Sequence, residues 1–338
     1  MVGVVAVDAG EALRTVAFRL ERVGEPGHRV KAFRRAAGVV DELGVDEVAR
    51  QVARGTLTDV PGIGPTTARV VADALAGREI GYLDGIVEPD YLDPAFGGHA
   101  LRELLTGDCH THSDWSDGGS PILEMATTAR SLGHRWMVLT DHSPRLRVAN
   151  GLSAERLRRQ LDVVAALNVD LAPFRILTGI EVDILDDGSL DQDPELLDRL
   201  DFVVASVHST LRMPAGEMTR RMVAAVRDPL VDVLGHCTGR RVAGKVRAES
   251  AFDARTVFTA CRDHGTAVEI NSRPDRLDPP RRLLSLAVEL GCSFTIDSDA
   301  HAPGQLDWLH YGCRRAEECG VDPSSVLNTV SAEALTAR

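Results

Sequence analysis

Leu105-Thr-Gly-Asp-Cys-His110-Thr-His112 is a run of strand length that closes on two histidines one residue apart, and much of the chain repeats that pattern. Further short apolar runs lie at residues 136–140, 176–182, 202–207, 231–234, 266–270 and 293–296. Amphipathic stretches of helical period fall between most of them, at 122–132, 154–167, 219–226, 254–264 and 280–290. Strands spaced by helices predict parallel β/α units. Seven such units point to a barrel more than to an open sheet, hence an α/β class.

The ionisable residues gather where those strands end. After the first run come Asp141-His142, Glu181-Val-Asp183, His208, His236, Asn271 and Asp297-Ser-Asp299-Ala-His301. The carboxyl ends of barrel strands converge on one face, so six of the eleven histidines are expected at one rim. His110-x-His112 and Asp299-x-His301 have the period of two that puts both side chains on one side of an extended strand. Imidazole mixed with carboxylate suits zinc, manganese or iron. A carboxylate has two oxygens, so Glu181 can bridge two ions. The donor count exceeds what one tetrahedral ion takes and predicts a cluster of two or three divalent ions. A single strand-end histidine is more often structural than a ligand, but six with interleaved acids are not explained that way. Asp117 also fits a turn residue, and Asp141 a residue that orients a ligand. His28, His99, His134, His264 and His310 match no strand end.

Composition narrows the class further. The 338 residues are 44% hydrophobic, with 38 basic and 50 acidic side chains and a net charge of −12. A generic nucleic-acid coater is usually basic, which excludes that reading but not a nucleic-acid enzyme with local cationic patches. No apolar run approaches the roughly 20 residues of a membrane span. The start, MVGVVAVDAGEALRTV, has no basic leader, so a cytoplasmic location is expected. The six cysteines form no Cys-x-x-Cys pair and read as small buried hydrophobes.

Residues 1–82 read as a separate helical domain, with helical spacing at 11–23, 30–43, 45–53 and 66–76. Within it, Val60-Pro-Gly62-Ile-Gly64-Pro65-Thr66-Thr-Ala-Arg69 reads as a helix-hairpin-helix, or else as a plain tight turn. In the first reading the glycines permit the turn, and the amides opening the next helix hold a phosphate without reading sequence. Lys31, Arg34 and Arg35, beside Arg29, are the accompanying cations. The 11 basic and 15 acidic residues of positions 1–100 leave any DNA affinity to this local cluster and predict that it is modest and salt-sensitive. Residues 83–104 read as a linker, and 105–338 as the barrel.

Residues 106–301 resemble a polymerase and histidinol phosphatase (PHP) domain, a distorted seven-stranded β/α barrel with a trinuclear metal site. The resemblance rests on His110-Thr-His112, Ser116-Asp117-Gly118, Leu139-Thr-Asp-His142, Gly179-Ile-Glu181, Ser206-Val-His208, Gly235-His236 and Asp299-Ala-His301. It implies one ion on His110, His112, Glu181 and Asp299, a second on Glu181, His208 and His236, and a third on Asp117, His142 and His301. Cys237 departs from the proline often found after that histidine. The segment His28-Arg-Val-Lys31-Ala-Phe33-Arg34-Arg35-Ala36-Ala37, with the hairpin, resembles the N-terminal domain of family X DNA polymerases. Many bacterial members of that family also carry a C-terminal PHP domain. Arg276-Leu-Asp278, Gln305-Leu-Asp307 and Tyr311-Gly312 share that subgroup's character. The linker leaves no room for a polymerase palm, and Val70 stands where the lyase lysine of those polymerases would be, so neither activity is expected.

The chemistry expected is phosphate-ester hydrolysis, in which paired ions activate water, polarise phosphoryl oxygens and steady the leaving alkoxide. His208 or His301 would protonate the leaving oxygen, with Arg276 the foremost phosphate clamp. Arg240, Arg241, Arg273 and Lys245 are further phosphate-binding candidates, or solvated surface charges. The leading expectation is a hydrolase acting at DNA 3′ ends, as exonuclease, 3′-phosphatase or both, with a role in DNA repair. The alternatives are a small-molecule phosphomonoesterase of the histidinol phosphatase kind and a non-catalytic DNA-binding scaffold with a vestigial metal site. DNA is the expected partner; no membrane and no obligate protein partner are inferred.

Overall fold

The computed structural model describes residues 8–25 and 27–337. The apolar start, residues 1–7, lies outside them. Contacts divide the chain into two units, 1–92 and 93–338.

The first unit is all-helical. α1 (Ala9–Arg22), α2 (Gly27–Leu43), α3 (Val45–Arg54) and α4 (Pro65–Leu75) bury Leu13, Val16, Leu20, Phe33, Ala36, Val40, Val48 and Val71 in one core. Asp8 caps α1 by accepting from the Glu11 amide at 2.9 Å. Between α3 and α4 the chain turns at Gly62, whose φ of +101° favours glycine. Thr67 ties the start of α4, accepting from the Gly64 amide at 2.9 Å and donating to the Gly64 carbonyl at 3.0 Å. Val70 is buried in the helical core at 2% exposure.

The second unit is a nearly closed parallel barrel. Its strands are β1 (Gly107–Thr111), β2 (Trp136–Leu139), β3 (Arg175–Asp183), β4 (Phe202–Ser206), β5 (Val233–Leu234), β6 (Ala267–Asn271) and β7 (Phe294–Asp297), in sequence order around the sheet. Side chains alternate across each strand. Trp136, Val138, Leu177, Phe202 and Val204 form one cluster, plugged by Leu327, Ala332 and Leu335 from the C-terminal segment. Their neighbours Met137, Leu139 and Ile176 belong to a second cluster with α5 (Ile122–Ser131). Gly107 is required on β1 because a Cβ there would lie 2.2 Å from the Trp136 ring. At the seam, Thr111 and Ala300 form a parallel bridge. The Asn328 amide also spans it, donating to the Ile296 carbonyl at 2.9 Å and the Gly107 carbonyl at 3.3 Å.

All six cysteines are free, five of them buried and Cys319 half-buried. Among the described residues no helix is long and apolar enough to cross a membrane.

Candidate metal centre

Every strand from β1 to β7 delivers at least one polar side chain to the same end of the barrel. His110 and Glu181 lie within β1 and β3, whereas His112, His142, His208, His236, Asp299 and His301 stand one to four residues past strand ends. Glu181 is the hub, 1% exposed. Its Oε2 faces His142 Nδ1 at 2.8 Å, His110 Nε2 at 3.3 Å and His112 Nε2 at 3.7 Å. Its Oε1 faces His236 Nε2 at 2.9 Å and His208 Nε2 at 3.2 Å. The two oxygens thus sort five imidazoles into two sets.

A third set forms around Asp117, whose Oδ1 lies 3.4 Å from both His142 Nε2 and His301 Nε2. Asp299 Oδ1 lies 3.4 Å from His112 Nε2. Asp299 has a φ of +51°, unusual for a residue with a Cβ. That conformation is held by Asn271, which donates to Asp299 Oδ2 at 3.0 Å, and by Arg273, which donates to its carbonyl at 3.1 Å.

The donor set fits divalent ions. Three groups have ligand atoms within 4.8 Å of one another: His112, Asp117, His142 and His301; His110, His112 and Glu181; and His142, Glu181 and His208. Nε2 of His110, His112 and His208, Nδ1 of His142 and Glu181 Oε2 are buried and make no aligned hydrogen bond despite these short approaches. Buried polar atoms are ordinarily paired, and convergent lone pairs at such spacing suit coordination. All nine sequence-derived metal candidates meet here.

Charge at the rim is strongly polarised. Burial disfavours ionised Glu181, yet His208, His110 and His142 hold its carboxyl well below the usual carboxylate range. Burial likewise opposes a charged His208, but Glu181 and Asp183 lift it to about 9. Burial, with His301 and His142 nearby, pushes His112 down to about 3. His301 falls to about 3 through burial and Arg273. Burial also opposes the Asp299 carboxylate, which Arg273, His112 and Arg276 keep well below its ordinary value.

The roles of two acids behind the ligands escaped the sequence reading. Glu269 on β6 accepts from His110 Nδ1 at 2.6 Å, turning His110 Nε2 toward Glu181. Asp183 does the same for His208 through Nδ1. Glu269 itself was unmarked, because at that strand only Asn271, two residues further on, was singled out from the sequence. Asp141 stays off the donor groups; it accepts from Ser113, Ser116 and Gln160 and fixes the loop after β1.

The arginines divide. Arg276 Nε lies 3.3 Å from Asp299 Oδ2, and its buried Nε and Nη1 make no hydrogen bond. Arg273 contacts the Asp299 carbonyl and lies 3.0 Å from His301 Nδ1. Arg240 instead donates from Nε to the Arg276 carbonyl at 3.0 Å, and Arg241 pairs with Asp275, so both guanidinium groups are engaged within the loop. Lys245 is exposed.

In the helical unit, Gly64, Thr66, Arg69, Lys31 and Arg35 are exposed and Gly62 is half-buried. Arg34 differs from the expectation of a phosphate contact. Its Nε and Nη2 donate to Glu21 at 2.9 and 2.6 Å, and the pair sits 12% and 3% exposed between α1 and α2. A buried carboxylate needs that partner, which sequence spacing alone does not reveal.

Residues 108–273 match the PHP domain family. The chain is 40% identical over 227 residues to the DNA polymerase/3′-5′ exonuclease PolX of Bacillus subtilis, covering 67% of this chain and 40% of that protein. It therefore spans about two fifths of that relative's length. It is 31% identical to a probable phosphatase of Acetivibrio thermocellus over 66% of this chain and 90% of the relative. A solved structure of histidinol phosphate phosphatase from Lactococcus lactis, complexed with zinc, L-histidinol and phosphate, aligns at a TM-score of 0.47 and 19% identity over 64% of this chain and 94% of that one. With the family match taking in seven of the nine rim side chains, the chain belongs to the PHP-domain family of metal-dependent phosphoesterases.

Proposed function

We propose that this enzyme hydrolyses phosphate esters at DNA 3′ ends, as a 3′-5′ exonuclease, a 3′-phosphatase or both. One observation carries the reading: a helical unit with an exposed hairpin accompanies the phosphoesterase rim in one chain. At that hairpin, Arg29, Thr66, Arg69 and Tyr82 line a cavity of about 540 Å³ beside the first turn of α4. Helix-start amides with flanking guanidinium groups suit a backbone phosphate. A small phosphomonoester has no need of such a unit. The similarity to a 3′-5′ exonuclease points the same way.

At the rim, the nine side chains named above would hold two or three divalent ions, which supply Lewis acidity and water activation when bound. Glu181, through its two oxygens, sets the spacing of the two histidine groups. Arg276 is placed to take a phosphoryl oxygen, because its Nη1 is buried without a partner next to Asp299. His208 and His301 are the most open of the rim histidines, 12% and 21% exposed against 6% or less for the others. They are therefore the two that a leaving oxygen can reach, and one of them returns its proton.

The test is turnover of 3′-recessed, 3′-phosphate and abasic DNA in manganese, run beside histidinol phosphate. DNA turnover that disappears in Asp299→Ala is the expected result. Turnover of histidinol phosphate alone would replace this reading with a small-molecule phosphatase, and no hydrolysis despite bound metal would favour a DNA-binding scaffold.

A further inference from the structure

Residues 239–247, Gly-Arg-Arg-Val-Ala-Gly-Lys-Val-Arg, carry four cations and no acid in a chain of net charge −12. They form a hairpin. Arg241 and Arg247 exchange backbone hydrogen bonds of 2.9 and 3.0 Å. The tip exposes Val242 at 46% and Val246 at 75%, with exposed Lys245 between them. Lys245 makes no ion pair among the described residues.

The base of this hairpin is fastened to the rim. The Gly239 amide donates to the His236 carbonyl at 2.8 Å, and the Val242 amide donates to the Asp275 carbonyl at 2.7 Å. Arg241 pairs with Asp275, and Arg240 donates to the carbonyl of Arg276. Arg276 in turn lies beside Asp299. Cations therefore follow one another from the metal donors outward: Arg276, then Arg241 and Arg247, then Lys245 at the tip. Arg247 lies close enough to Arg276 and Arg241 that, with burial, they lower its pKa. A connection between β5 and α6 (Ala254–His264) needs neither this clustering nor two exposed valines beside a lysine. A polyanionic strand with apolar sugar and base faces complements both features.

We propose that the hairpin at 241–247 grips the polynucleotide strand that leads away from the scissile phosphate. Lys245 contacts a backbone phosphate, and Val242 and Val246 lie against the sugars or bases on either side. This device separates a polynucleotide from a small ester, which ends before it reaches the tip. The inference rests on the DNA reading above.

The test compares kcat/KM for a 3′-recessed oligonucleotide with kcat/KM for an aryl phosphate ester, in manganese, across 50 to 200 mM salt. Using the ratio of the two removes any general loss of folded enzyme. In Lys245→Ala the ratio is expected to fall about fivefold, and the slope of log kcat/KM against log salt to shrink by about 0.7, one single-strand phosphate contact. In Lys245→Glu the fall should be about twentyfold, while Lys245→Arg keeps the wild-type ratio. Oligonucleotide turnover whose ratio and salt slope survive both Lys245→Ala and Lys245→Glu overturns the hairpin proposal alone. Wild-type enzyme that hydrolyses the aryl ester but no oligonucleotide overturns the substrate reading and the hairpin proposal with it.

Discussion

In the helical unit Glu21 is buried against Arg34, which meets it with two hydrogen bonds at 2.9 and 2.6 Å. In the barrel Glu181 is equally buried, yet five imidazoles approach it at 2.8 to 3.7 Å and several of their nitrogens make no hydrogen bond. The first arrangement is a finished ion pair that joins two helices. The second gathers more donors than one carboxylate can satisfy, which is the pattern of a ligand shell rather than of a structural salt bridge. The difference shows how to tell charge that supports a fold from charge that does chemistry: count what remains unpaired.

That contrast can be broken by removing each hub. Glu181→Gln should lower phosphoesterase turnover on the order of a thousandfold, since one histidine set loses its facing oxygen and the hub loses its negative charge. Retained activity in a steady-state assay would remove Glu181 from the centre of the site. Arg34→Met takes both of these hydrogen bonds from buried Glu21, and should destabilise the helical unit by about 3 kcal/mol. Denaturant unfolding followed by circular dichroism measures it, and metal content per chain should stay at the wild-type level. If both quantities fell together, the two units would not treat charge independently.

Smaller changes sharpen the comparison. Glu269→Ala frees His110 to rotate, so metal affinity should weaken about ten- to hundredfold, read by competition with a chromogenic chelator. Glu269→Gln should lose less, because its amide oxygen still accepts from His110 Nδ1. Thr67→Val removes both bonds at the start of α4 and should cost about 1 kcal/mol in unfolding free energy. The same change should weaken DNA binding by the helical unit without altering turnover of an aryl phosphate.

Much of the barrel was readable because parallel strands are buried on both faces and end in conspicuous chemistry. Seven apolar runs gave seven strands, and the histidines and acids after them converge. Boundaries were softer: β5 is only two residues long, Val233–Leu234, where the apolar run spans 231–234. Asn328, which ties β1 to β7, and Glu269, which aims His110, gave no recognisable signal. Each acts through a partner more than 30 residues away, and a lone polar residue carries no mark of such a partner. Arg34 failed for the same reason in the other direction, since its charge suggested phosphate while a buried acid 13 residues earlier already claims it.

Counting the ions tests the central claim most directly. Chain purified with manganese or zinc, freed of loose metal and analysed by inductively coupled plasma mass spectrometry should hold two or three divalent ions per molecule. Asp117→Ala should hold about one fewer, because His142 and His301 lose the carboxylate that faces them both. One ion or none in the wild-type chain, or a count that Asp117→Ala leaves unchanged, would contradict a multinuclear rim built from these side chains.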